Sequence, residues 1–138
     1  MIGTPGYMAP EILSHQPYQG HSVDLFALGV ILFTLYSGHP PFGMANEKDR
    51  YYKFLAANRS DLFWRAHSNL KRRPEGFYSE EFKDLITYML QFLPQHRLCI
   101  ADIFGHPWLS SGGFADANAV RQEFALRHEV NKQRAMAE

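Results

Sequence analysis

A mainly α fold is predicted from three observations. Apolar residues recur at helical spacing in two long segments, capping and breaking residues bracket both, and no alternating run is long enough for a sheet. The 138 residues fit one small domain, and a hydrophobic fraction of 46% is enough to build a core. No internal repeat is present.

The first 21 residues are dense in Gly, Pro and Tyr, which predicts an ordered loop holding one short helix at residues 10–14. Ser22 is then placed to cap a long helix whose first turn carries Asp24, where a carboxylate meets unsatisfied amides and the positive dipole end. Gly38, Pro40 and Pro41 stop it. Between these signals Leu25, Phe26, Leu28, Val30, Ile31, Phe33 and Leu35 leave almost no polar face, so the helix is expected to be enclosed on all sides. The apolar run at 25–36 is too short to span a bilayer and reads as a core helix.

Asn46 is a candidate cap for a third helix over 47–57, made amphipathic by Tyr51, Tyr52, Phe54 and Leu55. Residues 58–78 give mixed signals and no element is assigned. Ser79, with Glu80 and Glu81, opens the clearest helix, in which Phe82, Leu85, Ile86, Met89, Leu90 and Leu93 form one stripe and Pro94 ends it. A short helix at 101–104 precedes His106-Pro107-Trp108, and Gly112-Gly113 breaks the chain before a charged helix over 117–135. There Glu123 and Arg127 stand at i,i+4, and the stripe of Val120, Phe124 and Val130 tilts the expectation towards packing on the body.

Lys plus Arg and Asp plus Glu both total 14, so no net field draws nucleic acid, an anionic membrane or a polyanionic substrate, and any partner is recognised locally. The single cysteine, Cys99, can form neither an internal disulfide nor a thiol metal cluster and is expected to be a half-buried structural thiol in a reducing compartment. The N-terminus has no basic region followed by an apolar stretch, as a signal peptide would. The expectation is a soluble, cytoplasmic protein. The seven histidines show no H-E-x-x-H or paired ligand spacing, so no metal site is expected, and a hydrolase is set aside because no G-x-S-x-G elbow occurs.

The motifs carry more. Gly3-Thr4-Pro5-Gly6-Tyr7-Met8-Ala9-Pro10-Glu11 resembles the end of a protein kinase activation segment with its Ala-Pro-Glu motif. Asp24-Leu25-Phe26-Ala27-Leu28-Gly29 is similar to the kinase Asp-x-Trp-x-x-Gly motif, with Phe26 in place of Trp. Gly38-His39-Pro40-Pro41-Phe42 resembles the family's Gly-x-x-Pro-Phe turn, and Arg97 with His106-Pro107-Trp108 resembles its terminal arginine and His-Pro-Trp segment. The resemblance covers residues 2–109, in family order.

By this resemblance the chain is a partial, helical C-lobe of a protein-kinase-like fold over 1–109, without the N-lobe sheet, followed by a charged helical extension over 110–138. Glu11 and Arg97 would form a buried ion pair, since a planar guanidinium clamps a carboxylate with two parallel hydrogen bonds. Asp24 would anchor the catalytic loop; read alone, it is a helix N-terminal carboxylate. Gly3, Thr4, Pro5, Gly6 and Tyr7 would shape the substrate pocket. The Thr4 hydroxyl would assist catalysis by bridging an upstream Asp and Lys and favours serine/threonine specificity; without the motif it is a turn threonine. Thr34 stands where some base-directed kinases carry a Glu, which argues against an arginine-directed consensus. Leu93-Pro94-Gln95-His96-Arg97 lacks the Asp that commonly starts its turn, and Cys99 replaces a capping Thr or Ser, so a divergent member with a weaker cap is expected.

Phosphoryl transfer needs a glycine-rich phosphate cover, a strand lysine, a catalytic-loop Asp and Asn, and a metal-binding Asp. None is read in this sequence: Gly3 and Gly6 make no G-x-G-x-x-G, and Asp61-Leu62-Phe63 lacks the glycine and follows Ala-Pro-Glu. The chain is therefore expected to bind no cofactor and to be inactive alone, ATP and Mg²⁺ belonging to the complete serine/threonine kinase. Its expected partners are a protein substrate or regulatory protein and the missing N-terminal part of the kinase domain, with no nucleic acid or membrane. The alternative is a non-catalytic interaction module derived from such a lobe. In either case an uncovered 25–35 stripe would make the isolated chain poorly soluble or partly molten.

Overall fold

The computed structural model describes residues 4–110 and 117–137. These form α1 (Pro10–Leu13), α2 (Gly20–Ser37), α3 (Tyr52–Ala56), α4 (Ser60–Leu70), α5 (Glu80–Met89), α6 (Ile100–Phe104), α7 (Pro107–Ser110) and α8 (Ala117–Ala137), with 3-10 turns at Pro5–Tyr7 and Pro94–His96. No strand occurs among the described residues, as the sequence predicts.

Helix α2 is the axis. Phe26 and Phe33 are fully buried, and with Val30 they join Tyr52, Phe63, Trp64, Tyr78, Phe82, Ile86 and Leu90 in one core. Helix α5 packs directly on α2. The crossing is close because of Gly29: a Cβ there would lie 2.9 Å from Met89 Cβ and 3.0 Å from Leu90 Cδ2. Gly38 ends α2 in the left-handed region (φ 82°), its N–H bonding the Thr34 carbonyl at 2.8 Å, the C-terminal arrangement that glycine adopts without steric cost.

The turn that follows is held from α4. His67 is fully buried, and its Nε2–H donates to the Pro41 carbonyl at 2.8 Å. Its ring meets those of Phe33, Phe63 and Tyr51 at centroid distances of 4.8, 4.6 and 4.6 Å. Burial penalises the imidazolium, and the pKa falls to about 4.

Several expectations are corrected. Helix α2 begins at Gly20, with Gln19 rather than Ser22 at the N-cap; the Ser22 hydroxyl lies inside the helix, 3.3 Å from Arg97 Nη1. At 18 residues α2 reaches membrane-spanning length and apolarity, yet its buried face is the core. Nor is it enclosed on all sides: Leu28, Ile31 and Leu35 are 46%, 43% and 78% exposed, because the described elements cover only one face.

The third helix is only five residues long, since Asp49 rather than Asn46 organises its start and residues 47–51 are turns. Helix α4 fills part of the unassigned stretch and buries Phe63, Trp64 and His67. Ser79 does cap α5, accepting from the Phe82 N–H at 3.1 Å, but α5 stops at Met89, well before Pro94, and Leu93 is exposed.

Cys99 is exposed, not half-buried, and the Asp102 carboxylate accepts from both its N–H (3.3 Å) and its thiol (3.0 Å). In α8 the Glu123–Arg127 pair forms at 2.6 Å. The expected packing stripe does not: Phe124 is 65% exposed, Val130 is exposed too, and the Val120 side chain lies outside the described residues.

Candidate functional site

Glu11 sits in the first turn of α1, directly after Pro10, whose fixed φ suits the opening of a helix. Arg97 follows the 3-10 turn Pro94–His96 beyond the end of α5. The tertiary fold joins them: Arg97 Nη1 donates to Glu11 Oε1 at 2.5 Å and Nη2 to Oε2 at 2.7 Å, with both side chains buried. The remaining guanidinium donors are used as well. Nε donates to the Gln91 carbonyl at 2.9 Å and Nη2 reaches the Phe92 carbonyl at 3.4 Å, while the guanidinium carbon lies 4.9 Å from the Phe26 ring centroid. One arginine thus ties α1 and α2 to the segment after α5.

This tie positions the segment before it. Met8 and Ala9 are buried, so the 3-10 turn Pro5–Tyr7 is seated on the body while Thr4, Pro5 and Tyr7 face outward. The Thr4 carbonyl accepts the Tyr7 N–H at 3.0 Å; its side chain caps nothing. A Cβ on Gly6 would lie 3.6 Å from the Gly43 carbonyl, so the turn rests on the loop after Phe42. Gly3 lies outside the described residues.

That supporting loop is organised by Asp49, which sequence reasoning missed. Its Oδ2 accepts from the Gly43 and Met44 N–H groups at 2.9 and 3.0 Å, and its Oδ1 from Tyr51 and Tyr52 at 2.9 and 3.0 Å. Partial burial works to raise the carboxyl pKa, but the four backbone donors outweigh it and hold the pKa below the usual aspartate value. The available signal was an Asp just before an aromatic run, a capping pattern that Asn46, three residues earlier, obscured.

Asp24 is elsewhere. It stands exposed on α2, and its side chain makes no hydrogen bond to another described residue. It edges an open groove of about 620 Å³ whose walls are mostly apolar, including Leu25, Leu28, Ile31 and Ile100. Thr34, by contrast, is turned inward on its own helix, its hydroxyl donating to the Val30 carbonyl at 2.8 Å. At the far end His106 Nδ1 accepts the Trp108 N–H at 3.1 Å, leaving Nε2–H to donate to Asp84 at 2.7 Å, which pins α7 to α5.

The fold therefore brings Glu11 and Arg97 together, presents Thr4, Pro5 and Tyr7 on the surface above the Asp49 loop, and leaves Asp24 facing outward. Among the described residues no group of three His, Cys, Asp or Glu side chains is close enough to hold a metal ion.

Comparison with known proteins gives a family. The family model for the protein kinase domain matches residues 1–109. Calcium-dependent protein kinase 9 of Arabidopsis thaliana is 32% identical over 136 residues, covering 99% of this chain and 23% of that protein. The delta subunit of calcium/calmodulin-dependent protein kinase type II of Oryctolagus cuniculus is 37% identical over 122 residues, 88% of this chain and 21% of that protein. The probable serine/threonine-protein kinase MARK-A of Dictyostelium discoideum is 36% identical over 109 residues, 79% of this chain and 9% of that protein. The chain thus spans less than a quarter of the length of these relatives.

Proposed function

The chain belongs to the protein kinase domain family, and on that premise we propose that it is the substrate-docking part of a protein serine/threonine kinase that transfers the γ-phosphate of ATP to a protein hydroxyl. The observation that carries this reading is the buried, two-pronged Glu11–Arg97 pair. It ties the Thr4–Tyr7 surface to a rigid helical body, the demand that positioning a protein substrate makes.

We propose that this chain by itself holds neither ATP nor Mg²⁺. A cradle needs a glycine-rich cover, a lysine on a strand and carboxylates for the metal, and the described residues offer neither a strand nor a ligating cluster. No step of phosphoryl transfer is therefore assigned to this chain, and alone it is proposed to be inactive. Its proposed role is orientation. Thr4 would face the reacting groups, Pro5, Gly6 and Tyr7 would shape the surface beside the accepting residue, and Asp24 with the adjacent apolar groove would receive the catalytic segment of a complete kinase domain. Residues 110–138 are proposed as an extension to this partial lobe. The proposed setting is cytoplasmic, supported by the neutral balance of charge and the single cysteine.

A chimera tests this. Residues 1–109 would replace the matching segment of the delta subunit of calcium/calmodulin-dependent protein kinase type II of Oryctolagus cuniculus. Transfer of labelled phosphate from ATP to casein is expected to persist, and Asp24→Asn or Thr4→Ala to lower kcat at least ~10-fold by misplacing catalytic groups. A chimera that folds by circular dichroism but transfers no phosphate, or one indifferent to both substitutions, would refute the proposal.

A further inference from the structure

We infer that the groove between α3 and α4 docks an acidic protein segment with an apolar anchor. Its floor is apolar: the half-buried rings of Tyr51 and Phe54 face Ala66 and Leu70 across a cavity of about 340 Å³, room for one or two side chains rather than a small-molecule ligand. Leu70 is 46% exposed there. Its rim is cationic. The Arg50 guanidinium lies 5.6 Å from the Tyr51 ring centroid and the Lys53 ammonium 5.1 Å from that of Phe54, so both charges are held beside the aromatic floor.

No acidic residue lines this groove, and neither cation is in an ion pair among the described residues. The nearest carboxylate in sequence, Asp49, has both oxygens engaged by backbone N–H groups. Immediately beyond Leu70, Lys71 and Arg72 are also exposed and extend the positive edge. The neighbouring groove between α4 and α5 is different in kind, mixing Arg65 and Lys83 with Asp61, Glu80 and Asp84. In a chain of zero formal charge, a groove of one sign over an apolar floor selects a partner of opposite charge, while the floor supplies the pocket that an anchoring Leu or Phe would fill. Nothing in this inference depends on phosphoryl transfer.

The test is fluorescence anisotropy on the full chain with the labelled peptide Glu-Asp-Glu-Leu-Phe-Glu-Asp-Glu. Saturable binding is expected that weakens with added salt, and a peptide with Gly-Gly in place of Leu-Phe should bind at least ~10-fold more weakly. Arg50→Glu with Lys53→Glu should also weaken binding at least ~10-fold, whereas Arg65→Glu with Lys83→Glu, an equal charge change outside the groove, should leave it unchanged. Arg50→Gln with Lys53→Gln makes the same test should the charge reversal disturb folding. The inference is overturned by absent binding, by equal loss in the variant changed at Arg65 and Lys83, by equal affinity for the Gly-Gly peptide, or by a groove that takes a single-stranded oligonucleotide or a second copy of the chain instead.

Discussion

Arg97 and Glu11 are 86 positions apart, yet they meet through two hydrogen bonds of 2.5 and 2.7 Å in a buried setting. Each spare donor of the guanidinium finds a carbonyl or hydroxyl, so the arginine leaves no unsatisfied charge behind. Removing either partner strands the other. Arg97→Ala and Glu11→Ala are each expected to cost roughly 3 to 5 kcal/mol of folding free energy. The double variant should lose less than the sum of the two. Urea unfolding measures all three, and midpoints at the wild-type value would refute the coupling.

His67 makes stability depend on acidity. Its ordinary pKa of 6.5 falls to about 4 in the folded protein because burial disfavours the charged ring. Between these values the unfolded chain takes up the proton and the folded chain does not, so stability is full above pH 6.5 and drains as pH falls towards 4. The total at stake is roughly 3 kcal/mol. His67→Gln should be less stable at pH 7 but should lose this acid slope. Unfolding midpoints at pH 7 and pH 4.5 decide the matter, and equal slopes in the two proteins would count against it.

At Gly29 two effects oppose each other. Alanine would raise helix propensity by about 1 kcal/mol. Its Cβ would also sit 2.9 Å from Met89 Cβ, an atom fixed to the backbone of α5, and relieving that contact means moving a helix. Overpacking of this kind costs about 1 to 3 kcal/mol, so Gly29→Ala is expected to be destabilising despite its better propensity. A thermal melt at or above the wild-type midpoint would show that the crossing yields.

The uncovered face of α2 should govern association. Leu28 and Ile31 are 46% and 43% exposed and lie together in the groove that Asp24 edges. Exposed apolar surface of this kind favours self-association. Leu28→Lys with Ile31→Glu is expected to shift the chain towards monomer in sedimentation without lowering its melting temperature. A wild-type chain already monomeric, with one sharp cooperative melt, would contradict this.

Much of the architecture was legible because its signals are local. The Ser79 cap, the stripe of Phe82, Leu85, Ile86 and Met89, and the Gly38 stop each act within a few residues of themselves, and the structure shows each one. Helix α4 escaped because its buried residues, Phe63, Trp64 and His67, are interleaved with Asp61, Arg65 and Asn69, and one of the three is a histidine. The cap of α2 was misplaced for a related reason. Ser22 has the chemistry of a cap, but its hydroxyl faces Arg97, a partner 75 positions away.

Composition and local spacing were enough to specify a helical chain and its long apolar axis, and the resemblance of its motifs to the protein kinase family supplied the expectation of a kinase lobe. Which side of α2 is buried, which carboxylate organises the loop beneath the Thr4–Tyr7 turn, and whether Cys99 is covered were settled only by tertiary packing. Propensity, capping and turn chemistry are properties of a few consecutive residues. Burial and charge pairing depend on segments as far apart as Glu11 and Arg97, which meet only when the chain has folded.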